Sequence, residues 1–209
     1  MLIDKAGWPF VGGALFVAVL LGVWLGRSWA VPFLILAAFF LFFFRDPDRT
    51  PPAGPHVVVS PADARVMAVG AFTGKGAPPG EWQWISMFLS PLDVHVNRVP
   101  VSGVVSRVEY HPGQFLPAYK PEAGELNEWT EVLVDTPSGP VVVRQIVGIL
   151  ARRIVTRLTV GDKVEAGQRF GVMKFGSRID MFLPLSSTVL TKVGDKVVGG
   201  ETVIAKLKS

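Results

Sequence analysis

The sequence predicts a mainly β domain with an internal pseudo-twofold repeat, preceded by an N-terminal hydrophobic helical anchor. Three observations carry that prediction. Residues 6–26 and 28–44 are without charge, and only Arg27 separates the two runs. Beyond Thr50 the chain changes to short β-branched stretches punctuated by glycine and proline. Finally, Val160-Gly161-Asp162-Lys163-Val164-Glu165-Ala166-Gly167 recurs as Val193-Gly194-Asp195-Lys196-Val197-Val198-Gly199-Gly200.

The anchor comes first. Each apolar run approaches the roughly 17 to 25 residues that a helix needs to cross a bilayer. Lys5 flanks one side and Arg45 and Arg49 the other, so the positive-inside rule predicts both ends in the cytoplasm around a tight external hairpin. Arg27 at the apex works against that orientation, and one spanning helix plus one interfacial helix is the alternative. Trp8, Trp24 and Trp29 sit where amphipathic rings favour the membrane interface. A cleavable signal peptide is not expected, because the first run is too long and no small-x-small processing site follows. The composition shift at Arg45–Gly54 divides the 209 residues into an anchor over 1–50 and a β domain over 51–209.

Charge and cysteine content then bound the function. Residues 51–209 hold 17 basic and 14 acidic side chains, a balance of +3 that suits an anionic lipid surface. No basic run interleaved with aromatics is present, so nucleic acid is not a predicted partner. With no cysteine, disulfides, thiolate metal sites and a cysteine nucleophile are excluded. No metal site is predicted.

Strands are expected at Val57–Ser60, Val66–Val69, Trp82–Phe88, Gly103–Tyr110, Glu131–Asp135 and Val141–Val147, each β-rich and bounded by turn residues. Over Gln145–Leu158 the pattern is ambiguous: Ile146, Ile149, Leu150 and Ile154 could mark a helical face, while β-branching favours a strand. One short helix or turn is expected there. The Gly-Asp repeat resembles the hammerhead units of lipoyl and biotinyl domains, which implies a lipoyl or barrel-sandwich-hybrid-like fold. Two similar hairpin turns met by chance are the plain alternative.

Between the two copies lies Phe175-Gly176-Ser177-Arg178-Ile179-Asp180-Met181-Phe182-Leu183-Pro184. This segment resembles the processing site of the short bacterial and archaeal type of phosphatidylserine decarboxylase proenzyme. Four further matches stand in order: Phe44-Arg45-Asp46-Pro47, Ser60-Pro61-Ala62-Asp63, Ser90-Pro91-Leu92-Asp93-Val94-His95-Val96-Asn97-Arg98, and Gly148-Ile149-Leu150-Ala151-Arg152-Arg153-Ile154. Together they cover nearly the whole chain.

The resemblance implies self-cleavage between Gly176 and Ser177. The products are a β chain of residues 1–176 and an α chain of 33 residues, 177–209, that stay together as a heterodimer. Glycine suits the position before the serine, since without Cβ bulk the hydroxyl can approach the preceding carbonyl in a tight turn. An N-to-O acyl shift followed by elimination and hydrolysis turns Ser177 into a covalent pyruvoyl group, so no external cofactor is needed. The resemblance further implies that this group forms a Schiff base with phosphatidylserine, acts as electron sink for decarboxylation and releases phosphatidylethanolamine, a step of phospholipid biosynthesis.

Asp63 is implied in self-cleavage, orienting or charging a base; a turn aspartate after proline is the plain alternative. His95 matches a family histidine suited to proton transfer near neutrality. Longer relatives carry a second histidine three residues on, where this chain has Arg98, and arginine is no base near pH 7. Their Asp-His-Ser arrangement therefore does not transfer intact; His95, or less readily His111, must substitute. Arg98 and Arg178 are candidates to hold the lipid phosphate or serine carboxylate, with solvated surface positions as the alternative. His56, near the anchor, is read as structural. Asn127 and Glu128 are given no role, and Phe115 and Leu116 are candidate lipid-lining residues.

The predicted partners are thus a membrane phospholipid and the cell membrane, with the catalytic domain on the cytoplasmic side; a homo-oligomer is left open. Two other functions compete. A non-catalytic membrane-anchored lipoyl-like adaptor explains the anchor, the repeat and Met173-Lys174, but neither Asp63 nor His95. A pyruvoyl decarboxylase of a soluble amino acid gives no reason for about 40 apolar N-terminal residues.

Overall fold

The computed structural model describes residues 2–72, 76–149, 154–174 and 176–208. Phe175 of the processing motif and Leu150, Ala151, Arg152 and Arg153 of the Gly148–Ile154 motif lie outside them. The chain forms two compact units, Met1–Asp48 and Arg49–Ser209.

The first unit is a pair of packed helices, α1 (Trp8–Trp24) and α2 (Arg27–Phe43). Leu25 and Gly26 form the turn between them, with Gly26 at φ 103°, a conformation that costs glycine little. Asp4 starts the unit by accepting the Ala6 N–H at 2.8 Å. The apolar helix Lys5–Trp24, 20 residues with mean hydropathy 2.0, has the length and composition to cross a membrane. The second, at 17 residues, is shorter. Outward faces of both are apolar: Phe16, Val19, Val23 and Ile35 are each more than 60 % exposed, an arrangement water does not favour.

The second unit is built on β-strands. Its main sheet has eight strands in the order Lys163–Val164, Gly103–His111, Trp129–Thr136, Gly139–Ile146, Ser177–Pro184, Trp82–Leu89, Ala64–Phe72 and Lys196–Val197. All six expected strands are present within a few residues of their predicted ends. The Ser177 strand lies in the middle, antiparallel to both neighbours. Its alternation is strict: Ile179, Met181 and Leu183 join Ile85, Met87 and Leu89 in the main core, while Phe182 packs with Trp82 and Val142 on the other face. Over the ambiguous stretch, strand continues to Ile146 and resumes at Ile154–Thr156.

The repeat is realised as two closely similar turns. Asp162 accepts the Thr159 N–H at 2.8 Å and the Thr159 hydroxyl at 3.1 Å; Asp195 accepts the Lys192 N–H at 2.9 Å and the Thr191 hydroxyl at 3.1 Å. Gly161 and Gly194 sit at φ 95° and 94°, and donate to Val105 and Val66 respectively. Each turn feeds a two-residue strand that closes one edge of the main sheet. The symmetry also reaches further than the two motifs. Two three-stranded sheets match: Ile154–Thr156, Arg169–Met173, Val96–Arg98 in one, and Thr188–Val189, Val203–Lys206, Val57–Val59 in the other.

Candidate active site

Ser177 opens its strand, opposite Leu89, and is completely buried. Its hydroxyl has no hydrogen-bond partner among the described residues. Burying a hydroxyl unpaired is costly, so such a group is a candidate for chemistry rather than for stability. Gly176 before it stands at φ 72°, in the left-handed region where a side chain is strained.

Two elements crowd the Gly176–Ser177 peptide. On one side is the Ser90–Val94 turn. The Asp93 carboxylate accepts the Ser90 N–H at 2.8 Å and the Asp93 N–H returns to the Ser90 carbonyl at 2.9 Å, which locks the turn. That presents His95, itself fully buried. The His95 Nδ1 lies 2.9 Å from the Asp93 carbonyl, which can only accept, so the ring hydrogen belongs on Nδ1. The Nε2 lone pair is thereby directed at the Gly176 N–H, 3.4 Å away. The Asp93 carbonyl thus helps orient the ring so that Nε2 faces Gly176.

On the other side is Gly148. A Cβ there would overlap the Gly176 carbonyl oxygen, so only glycine allows this approach. Asn127 sets it in place. Its Oδ1 accepts the Leu116 N–H at 2.9 Å, and its Nδ2 donates to the Leu116 and Val147 carbonyls, both at 2.8 Å. One buried amide therefore ties the 113–117 loop to the residue before Gly148. Sequence reasoning gave Asn127 no role and quoted Gly148 only as the first residue of a matched segment. The signal available was a glycine and an asparagine inside otherwise apolar or polar-loop surroundings, which is weak without the fold.

The remaining predicted residues sit elsewhere around this centre. Arg178 is one residue on but on the opposite sheet face, with Nε and Nη2 each 2.7 Å from the Asp180 carboxylate oxygens. Its Nη1 reaches the Lys120 and Pro121 carbonyls at 3.3 and 3.5 Å. The pair is buried, so Arg178 is not a solvated surface side chain. Arg98 is also buried, its amide donating to the Pro61 carbonyl at 2.8 Å and its Nη1 to the Gly167 carbonyl at 3.0 Å. Asp63 lies at the second repeat turn, accepting the Gly199 N–H at 2.8 Å and pairing with Arg49 at 3.0 Å. Arg49 also pairs with Glu201 at 3.1 Å. Thus His95, Gly176 and Ser177 are brought together, while Asp63 and Arg98 gather where the two repeats meet.

The other histidines are occupied differently. His111 stacks on Trp129 at 4.7 Å between centroids, and Arg144 covers that indole at 4.3 Å. His56 pairs with the Ser138 hydroxyl at 2.8 Å. No cluster of three or more His, Asp or Glu side chains suited to a metal occurs among the described residues.

With this geometry in hand, comparison with known proteins is direct. The family model described as phosphatidylserine decarboxylase matches residues 36–205. A phosphatidylserine decarboxylase proenzyme of Symbiobacterium thermophilum is 46 % identical over 209 residues, 99 % of this chain and 96 % of the relative. Proteins of the same name from Nitrosomonas europaea and Burkholderia cenocepacia are 42 % and 41 % identical, covering 98 % and 99 % of this chain and 95 % and 97 % of theirs.

Proposed function

The chain belongs to the phosphatidylserine decarboxylase family, and on that premise we propose that it cleaves itself between Gly176 and Ser177 and then decarboxylates phosphatidylserine to phosphatidylethanolamine. The observation that carries the reading is the buried, unpartnered Ser177 hydroxyl directly after a left-handed Gly176 whose N–H faces the His95 lone pair.

Self-cleavage follows from what these groups do. His95 Nε2 accepts the Ser177 hydroxyl proton, Oγ attacks the Gly176 carbonyl carbon, and the proton passes to the Ser177 nitrogen as the peptide C–N bond breaks, leaving an ester and a free amine. Removal of the Ser177 Cα proton then expels the Gly176 carboxylate by breaking the Cβ–O bond. Residue 177 is left as a dehydroalanine; water enters, ammonia leaves, and the 177–209 chain begins with pyruvoyl. Gly148 and Asn127 hold the carbonyl in position for attack, because a shift of about 1 Å in such a step costs about a hundredfold in rate.

Asp63 is assigned a supporting part in this machinery, its carboxylate held in place by Arg49 and the Gly199 N–H. The residues at the site fit a pyruvoyl group, since Ser177 supplies all three of its carbons and Gly176, left-handed before it, offers the carbonyl that its hydroxyl must reach. Once formed, it would supply a covalent attachment point for the substrate amine and a sink for the electrons released with carbon dioxide. The chain's own residues then bind and orient. Arg178, next to Ser177 in the chain, is assigned to the phosphate or carboxylate of the headgroup, and His95 to holding or moving a proton beside residue 177; Arg98, its guanidinium held by the Gly167 carbonyl, is given no headgroup contact.

A bilayer-resident substrate accounts for the apolar helix Lys5–Trp24, for which a soluble amino acid gives no reason. Lys5, Arg45 and Arg49 favour a cytoplasmic catalytic unit at the cell membrane. The test is direct: purified protein in phosphatidylserine vesicles releases carbon dioxide and phosphatidylethanolamine, and a carbonyl reagent abolishes the release. Turnover that survives the reagent, or its absence from a cleaved chain, contradicts the proposal.

A further inference from the structure

The face of the main sheet opposite the core carries a cavity of about 460 Å³ that self-cleavage does not use. Its floor starts one residue beyond Ser177. The two-residue period of the strand puts Arg178, Asp180 and Phe182 on this face, across from Phe88, Ser86 and Trp84. Phe72 of the next strand continues the wall, its ring 4.9 Å from Trp84 and 6.1 Å from Phe182. Tyr119 and Pro121 close the cavity from the loop that Asn127 anchors.

Two polar atoms are unsatisfied in this cavity, whose lining is mostly apolar but also holds Glu122, Glu125 and the Arg178–Asp180 pair. Ser86 is 1 % exposed and its hydroxyl has no partner among the described residues; the same holds for the Trp84 indole N–H. Native interiors leave few buried donors unpaired, so two in one cavity mark where a ligand's acceptors belong. Both are neutral donors set among aromatic rings, which suits neutral acceptors flanked by hydrocarbon better than it suits an ion. Beside them, Arg178 offers Nη1, whose carbonyl contacts at 3.3 and 3.5 Å are long and replaceable.

We infer that this cavity lodges the glycerol-ester region of the phospholipid substrate. Ser86 Oγ and Trp84 Nε1 donate to its ester carbonyl oxygens, Arg178 Nη1 meets the phosphodiester, and the acyl chains leave along Phe72 and Phe182. The volume fits such a fragment and is too small for two whole acyl chains. This assignment rests on the decarboxylase reading for the identity of the lipid, but its test does not depend on turnover.

The test uses the full-length Ser177→Ala chain, in which the peptide bond stays intact. Short-chain diacyl phosphatidylserine, kept below its micelle concentration, is titrated by calorimetry against glycerophosphoserine, which has the headgroup and no acyl chains. Ser86→Ala and Trp84→Phe each remove one donor while keeping shape, and are expected to weaken diacyl binding about five- to tenfold. Glycerophosphoserine affinity stays within about twofold. Ala68→Leu, which fills the cavity without removing a donor, gives a comparable loss of diacyl binding. The inference is overturned if the Ser177→Ala chain shows no saturable diacyl binding, if both donor variants bind within twofold of it, or if glycerophosphoserine affinity falls in parallel. Failure of the decarboxylase reading would show separately, in the Ser177 protein, as an uncut chain or no amine-lipid product.

Discussion

Gly176 and Gly148 meet across a single carbonyl oxygen, and neither tolerates a side chain there, one for its backbone angle and the other for space. Gly148→Ala is therefore expected to slow self-cleavage by about a hundredfold through displacement of that carbonyl. A time course of chain separation on a denaturing gel measures it; cleavage at the normal rate would remove Gly148 from the machinery. His95→Gln keeps a hydrogen-bonding side chain but no base, and is expected to cost a factor of about 10² to 10⁴ in the same assay. His111→Gln, whose parent ring stacks on Trp129, leaves cleavage unchanged. The serine and its glycine were legible in the sequence because the motif is contiguous. Gly148 and Asn127 were not, since their meeting with Gly176 depends on strand order and on one amide satisfying three backbone groups. Arg178 shows the opposite lesson: Asp180 two residues later shares its face of a strand, so their pairing could be read from the period alone.

At the level of elements, the six main strands were visible because each β-rich run is closed by turn residues on both sides. The pseudo-twofold was only half visible. The Gly-Asp turns repeat in sequence because their hydrogen bonds need those residues, whereas the strands they pair with repeat only in position. The short helix Ala123–Leu126 carried no signal at four residues. Its loop depends on Asn127, and Asn127→Ala strands the part-buried Leu116 N–H and carbonyl and the buried Val147 carbonyl. The expected loss is about 3 kcal/mol in denaturant unfolding, with slowed cleavage; a neutral result would show that the loop is held by other means.

The repeat turns also carry a pH dependence. The Lys192 backbone N–H, with help from the Thr191 hydroxyl and the Lys192 charge, holds the Asp195 carboxyl below its usual range. A group with a depressed folded pKa adds stability above its unfolded pKa, near 4, and loses it as pH falls through the folded value. The gap in melting temperature between the protein and Asp195→Asn should therefore be constant near neutrality and shrink below about pH 4. A gap that widens in acid contradicts this sign.

For the whole molecule, the two units differ in kind: one brings an apolar helix long enough to cross a bilayer, and the other carries the main hydrophobic core and the Gly176–Ser177 peptide. A chain lacking residues 1–48 should still cleave itself but sediment far less with phosphatidylserine vesicles; a chain that fails to cleave would tie processing to the anchor. Within the second unit, charge is buried as well as grease. Glu131, 2 % exposed, accepts both Arg144 at 2.6 Å and Arg107 at 2.5 Å. Replacing it with glutamine leaves Arg144 charged and underpaired, at a cost of about 3–5 kcal/mol in unfolding free energy. The most direct measurement is the intact mass of the purified protein beside its Ser177→Ala variant. Two chains, ending at Gly176 and beginning with a pyruvoyl-blocked residue 177, against one chain in the variant, is the predicted result. A single folded, uncut chain in both would contradict self-cleavage and the decarboxylase mechanism built on it.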